Sequence, residues 1–144
     1  FSEELLNEAL PMLRAHSLEI GRDGQINPNI AAYKALETAG CLKIFTWRDY
    51  GRLVGYASYL VSPCLHDWES TQAMDDMVFI SPDHRGSTTL RFLKFCERKL
   101  VEFGAEKILQ VSPVGSPFYG ILNHLGYTKL EEVWSKNFPK KKEI

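Results

Sequence analysis

Apolar residues recur at helical spacing from Ser2 to about His16, at Leu5, Leu6, Ala9, Leu10 and Leu13. Ser2 stands where it can cap the first turn, and Glu3 and Glu4 complement the helix dipole, so a first helix is predicted with Pro11 carried inside it. The segment GRDGQ reads as a loop. Asn27-Pro28 then opens a second helix, with proline in its first turn, that runs through Ile30, Tyr33 and Leu36 until Gly40 stops it. After Gly40 the period changes to two. CLKIFTW, the turn RDYGR and LVGYASYLV form a hairpin pattern, and STQAMDDMVFI is a third strand, ended by Pro82 because proline cannot donate to a sheet ladder. Helical spacing returns at Leu90, Leu93, Phe95 with Cys96, Leu100 and Phe103, and Gly104 closes that helix. KILQVS reads as a short buried strand, SPFYGILNHLG as a short helix capped by Ser116 with Pro117 in its first turn, and YTKLEEVWSKNF as a last strand.

This order of elements predicts an α/β (α+β) fold, a mixed and mostly antiparallel central sheet with helices on both faces. A length of 144 residues suits one domain spanning 1–144, and no repeat or low-complexity run divides it. With Lys+Arg 17 against Asp+Glu 18 the net charge is -1, so no global basic field recruits nucleic acid, and Lys140-Lys141-Lys142 reads as a solvated tail. Cys41, Cys64 and Cys96 are widely spaced without a C-x-x-C pair, which indicates neither a disulfide framework nor a zinc site and fits a reducing cytoplasm. No apolar stretch approaches the roughly 18 residues of a membrane span, and FSEELLNEAL lacks the charged and apolar regions of a signal peptide, so no membrane partner is expected.

Candidate chemistry concentrates in SPDHRGSTTLRFLKF, residues 81–95. A helix starting near Ser87 carries backbone N–H groups without intrahelical partners and about half a positive charge at that end. Gly86 clears room for an oxygen to approach, Ser87, Thr88 and Thr89 add hydroxyls, and Arg85 adds a forked cation, a set that suits a pyrophosphate. The same residues also read as a plain helix cap at Ser87 beside a surface charge at Arg85.

From about Cys41 to Phe138 the chain resembles the GNAT superfamily of acetyl-CoA-dependent N-acetyltransferases, on the strand MVFI, then SPDHRGSTTLRFLKF, KILQVS and FYGILNHLGY. In that family a strand ending in Val-x-Pro runs into an (Arg or Gln)-x-x-Gly-x-(Gly or Ala) loop whose amides hold the CoA pyrophosphate. Arg85 matches the first position, and Pro82 and Gly86 also fit. Thr88 stands where the family has Gly and Leu90 where it has Gly or Ala, while Leu125-Gly126-Tyr127 resembles the family's Leu-Gly-Phe. The chain looks closest to small members from bacteriophages and bacteria.

The resemblance implies that acetyl-CoA is the cofactor and that the strand at Val78, Phe79 and Ile80 is splayed from its neighbour, its free amides binding the pantetheine arm. It implies a general base on that strand. Asp76 is the first candidate, since it shares strand parity with Val78 and Ile80, with Glu69 and Asp75 behind it. Relatives place a tyrosine acid where this chain has Leu122; Tyr119 lies three residues earlier, on nearly the same helix face, with Phe118 beside it. His66 and Glu69, in the segment SPCLHDWES, stand where the family binds acceptor substrate. The expected reaction is direct acetyl transfer to a primary amine, on a small molecule or a protein, by a monomer or homodimer with no metal and no cysteine nucleophile. The alternative is a non-catalytic relative that binds CoA or regulates other molecules.

Overall fold

The computed structural model describes residues 2–139, and the lysine run at 140–142 lies outside them. Helix α1 (Glu3–Glu19) begins where Leu5 N–H donates to the Ser2 hydroxyl at 3.1 Å, and it continues three residues past His16. Helix α2 (Ile30–Thr38) is capped by Asn29, whose side chain accepts from Ala32 N–H at 3.0 Å. Pro28 therefore precedes the helix rather than opening it. Gly40, at φ 75°, ends α2, since its N–H returns to Glu37 O and that of Cys41 to Leu36 O.

Strand β1 (Leu42–Asp49) turns through Tyr50 and Gly51, both at positive φ, into β2 (Arg52–Cys64). That two-residue geometry matches the right-handed twist of the hairpin. β2 is buried without interruption from Leu53 to Tyr59, because a helical layer covers each face of the sheet there. Gly55 permits a close approach, as a Cβ at that position would stand 3.2 Å from Ile80 Cγ1 and 3.3 Å from Phe79 O. β3 (Asp67–Ile80) pairs antiparallel with β2, and β4 (Lys107–Leu109) pairs parallel with β3, giving the sheet order β1-β2-β3-β4.

One face packs α1 through Ala9, Leu5, Met12 and Leu13 onto Leu53, Tyr56 and Phe79. The other packs α3 (Ser87–Glu102) through Phe92, Cys96 and Leu100 onto Phe45, Ala57, Tyr59 and Ala73. A short helix, α4 (Phe118–His124), follows β4, with Phe118 N–H donating to the Ser116 hydroxyl. The mixed, mostly antiparallel sheet between helices is thus present. The last strand is not: Tyr127–Phe138 has no regular structure and leaves Leu130, Val133, Trp134 and Phe138 exposed. Glu131-Glu132 interrupts the alternation there, and Lys129 closes on Glu132 at 2.6 Å, a local contact that brings no ladder. Among the described residues no helix is long and apolar enough to cross a membrane.

Leu93, only 1 % exposed, and Val101, 61 % exposed, share α3. Leu93→Ala should cost about 2–5 kcal/mol by leaving a cavity, whereas Val101→Ala should stay within about 0.5 kcal/mol. Urea unfolding of both variants checks the assignment of faces.

Candidate active site

The parallel ladder between β3 and β4 holds for Gln72, Ala73 and Met74 against Lys107, Ile108 and Leu109, and then stops. From Asp75 to Ile80 β3 pairs with β2 alone, so alternate peptide groups on its other edge are left open. At the point of divergence the Val111 N–H donates to Asp75 Oδ1 at 2.7 Å, the contact that spans the gap.

A β-bulge sits at the same place. Ser58 pairs with Met77 and Tyr59 with Asp75, which leaves Asp76 as the extra residue. Asp76 consequently turns to the α1 face, where its Oδ2 accepts from Tyr33 Oη at 3.1 Å and Ser58 Oγ at 3.0 Å. This corrects the parity argument, because Val78 and Ile80 belong to the α3 face. It also reverses the burial of the two acids. Asp76 is exposed, while Asp75, opposite buried Tyr59, has its pKa pushed up to about 7 by desolvation. The Val111 hydrogen bond offsets part of that rise and the Asp76 charge adds to it.

Beyond Ile80 the chain makes a 3₁₀ turn, Pro82–His84, and enters α3 through Gly86 at φ 127°, a conformation that favours glycine. Gly86, not Ser87, occupies the N-cap position. The Thr89 hydroxyl, 4 % exposed, accepts from Gly86 N–H at 3.2 Å, so it faces the core and consumes one amide rather than offering a donor to an anion. Ser87 is exposed and Thr88 partly so, and among the described residues their backbone N–H groups meet no acceptor. Arg85 is turned onto the α1 layer. Its Nε donates to Ile80 O at 2.9 Å, its Nη2 pairs with Glu19 at 2.7 Å, and its guanidinium lies 5.5 Å from the Phe79 ring centre. Phe79 and Ile80 are buried, and the Ile80 carbonyl is already taken by Arg85.

Tyr119, in α4, is 50 % exposed and Phe118 half-buried, while Leu122 is buried. His66 and Glu69 are not brought to this place. The segment SPCLHDWES holds a tight turn between two paired strands, with Cys64 pairing Asp67, and Glu69 lies seven residues up the strand from Asp76. At about 3.3 Å per residue that is roughly 20 Å. Sequence reading missed Tyr33 and Ser58 as partners of Asp76, and nothing in their spacing announces that contact. Among the described residues no group of three or more His, Cys, Asp or Glu side chains comes together to hold a metal ion.

Known structures share this fold. A transcriptional regulator from Bacillus halodurans C-125 superposes with a TM-score of 0.79 at 18% identity, covering 96% of each chain. Ribosomal-protein-alanine N-acetyltransferase from Brucella melitensis biovar Abortus 2308 gives 0.70 at 17% identity, covering 92% of each chain. A protein described as a predicted acetyltransferase with acetyl-CoA, from Clostridium acetobutylicum, gives 0.71 at 13% identity, with 95% of this chain and 92% of that one covered. The chain has the GNAT acetyltransferase fold. No family model matches the sequence. No curated protein matches it either. The GNAT likeness is thus one of backbone course over nearly the whole chain.

Asp75 predicts a pH dependence of stability. Its folded pKa, about 7, lies above its ordinary 3.8, so the folded state binds the proton more tightly. Its contribution is therefore most favourable below the ordinary value and is lost as pH rises toward 7. Asp75→Asn, which can still accept from Val111, should lose less stability than the parent between pH 4 and pH 8, as read by denaturant midpoints.

Proposed function

We propose that the chain is an acetyl-CoA-dependent N-acetyltransferase that passes acetyl to a primary amine by direct attack. The observation that supports this best is the opening between β3 and β4 beyond Met74, which has adjacent carboxylates at its closed end and leads toward the free amides of α3. The open β3 edge at Val78–Ile80 suits an amide-bearing pantetheine arm, and the Ser87 and Thr88 amides at the positive end of a helix suit its pyrophosphate. Bound acetyl-CoA supplies an activated acyl group. Arg85 then acts by fixing the loop to α1, Phe118 borders the arm, and Asp76 holds the incoming ammonium.

The amine must lose a proton to attack. Asp75, titrating at about 7, is matched to that task near neutral pH, directly or through one water. As the C–N bond forms and the C–S bond breaks, the leaving thiolate needs a proton, which the half-exposed Tyr119 supplies. The non-catalytic reading is favoured by a specific observation: Leu122 is buried at the position where relatives carry a tyrosine, and the regulator noted above has the same fold.

Thiol release from acetyl-CoA with a panel of primary amines tests the proposal, beside a thermal-shift titration with acetyl-CoA. Asp75→Asn should lower kcat/KM by about 10²–10⁴-fold and flatten the acidic limb. Asp76→Asn should raise KM for the amine and move that limb to lower pH, because a like charge next to Asp75 is gone. Stabilisation by acetyl-CoA with no thiol release for any amine favours the regulatory reading.

A further inference from the structure

Two hydroxyls that line a cavity under α1 both turn toward one carboxylate. Tyr33 and Ser58 line the space between α1, α2 and the sheet, and both donate to Asp76 Oδ2. They stand Asp76 at the rim, with Oδ1 accepting no hydrogen bond among the described residues. Burial and the Asp76 charge push the Tyr33 pKa up to about 12, so its phenol keeps the proton it donates. Below the rim the walls are apolar, Leu5, Ala9 and Leu13 from α1 facing Ile44, Tyr56 and Met77 from the sheet. The Tyr56 hydroxyl donates to Met77 Sδ, 2.6 Å away, and like the other two hydroxyls carries no charge. The cavity measures about 50 Å³. That exceeds the roughly 10–15 Å³ one water needs, and apart from the three hydroxyls the lining is apolar.

We infer that this cavity selects the acceptor, a primary amine carrying one short, uncharged aliphatic group, with its ammonium at Asp76 and its aliphatic group among Leu5, Leu13 and Ile44. The fate of that amine rests on the acetyl-transfer reading above, while its binding does not. Direction matters here, because the charged head stays at the rim and the apolar group goes in. A lysine side chain presents the opposite order, its stem trailing back to solvent. A diamine or polyamine would bring a second ammonium against a wall that offers neutral hydroxyls and no second carboxylate, and a charge desolvated without a counter-charge is strongly disfavoured.

Calorimetric titration without acetyl-CoA tests the pocket alone. Butylamine should bind at least about tenfold more tightly than 1,4-diaminobutane, a difference of about 1.4 kcal/mol. Asp76→Asn should remove butylamine binding, and Ile44→Glu, which puts an acid on the wall, should narrow or reverse the ratio. A tripeptide with an N-terminal valine distinguishes the sources, since tighter binding than butylamine assigns the amine to a peptide N-terminus and weaker binding to a free alkylamine. Equal or tighter binding of the diamine by the unmodified protein overturns the inference. If butylamine is preferred in the titration and yet neither amine releases thiol from acetyl-CoA, the pocket stands and the acetyl-transfer reading fails.

Discussion

Everything at the site follows from where the ladder between β3 and β4 ends. Three residues of each strand are paired, and beyond them the peptide groups of β3 have neighbours on one side only. Unpaired backbone groups in a protein interior must find other partners. The Asp75 carboxylate provides one by accepting from Val111 N–H across the opening. Reaching that amide places the carboxyl beside the Tyr59 face of the core, and the loss of water there raises its pKa to about 7. A feature of strand geometry thereby becomes a feature of acid–base chemistry, with no special residue beyond an ordinary aspartate.

The bulge at Asp76 supplies the second half of the arrangement. In a regular strand Asp75 and Met77 would share a face, two residues apart. The extra residue changes the phase, so that Ala73 lies with the α3 layer while Met77 and Phe79 lie with the α1 layer. One short segment can then place a half-buried acid on one side and an exposed acid on the other. Tyr33 from α2 and Ser58 from β2 hold the exposed one, so its position depends on three separate elements.

Elements with a local cause were legible in the sequence. Ser2 caps α1, Gly40 ends α2, and the RDYGR turn makes the hairpin at Tyr50-Gly51, each through contacts within a few residues, whereas α2 begins at the Asn29 cap and not at Pro28. What was not legible depends on partners distant along the chain. The bulge carries no glycine or proline to mark it and is set by the register of β3 against β2. Arg85 looked like an anion ligand because its loop fits one. Its guanidinium is instead tied to Glu19, 66 residues away, a pairing that no local pattern encodes. The segment SPCLHDWES has the composition of a loop, yet the ladder continues through Cys64 and Asp67 and overrides it. The order of the two acids was misjudged for the same reason, since alternation separates them without saying which side is dry.

The adjacency of the two acids also couples binding to protonation. Asp76 is a like charge that helps keep Asp75 protonated, so a cation that settles on Asp76 removes part of that repulsion. The Asp75 pKa then falls, and near neutral pH the group moves toward its charged, proton-accepting form. By the reciprocity of linked equilibria, a charged Asp75 in turn favours a cation at Asp76. On the acetyl-transfer proposal, an ammonium held at the rim would thus prepare the group proposed to receive its proton. A fold with the same sheet but a single carboxylate at this bend would hold an amine without adjusting the acid beside it, which is a physical difference between binding an amine and activating one.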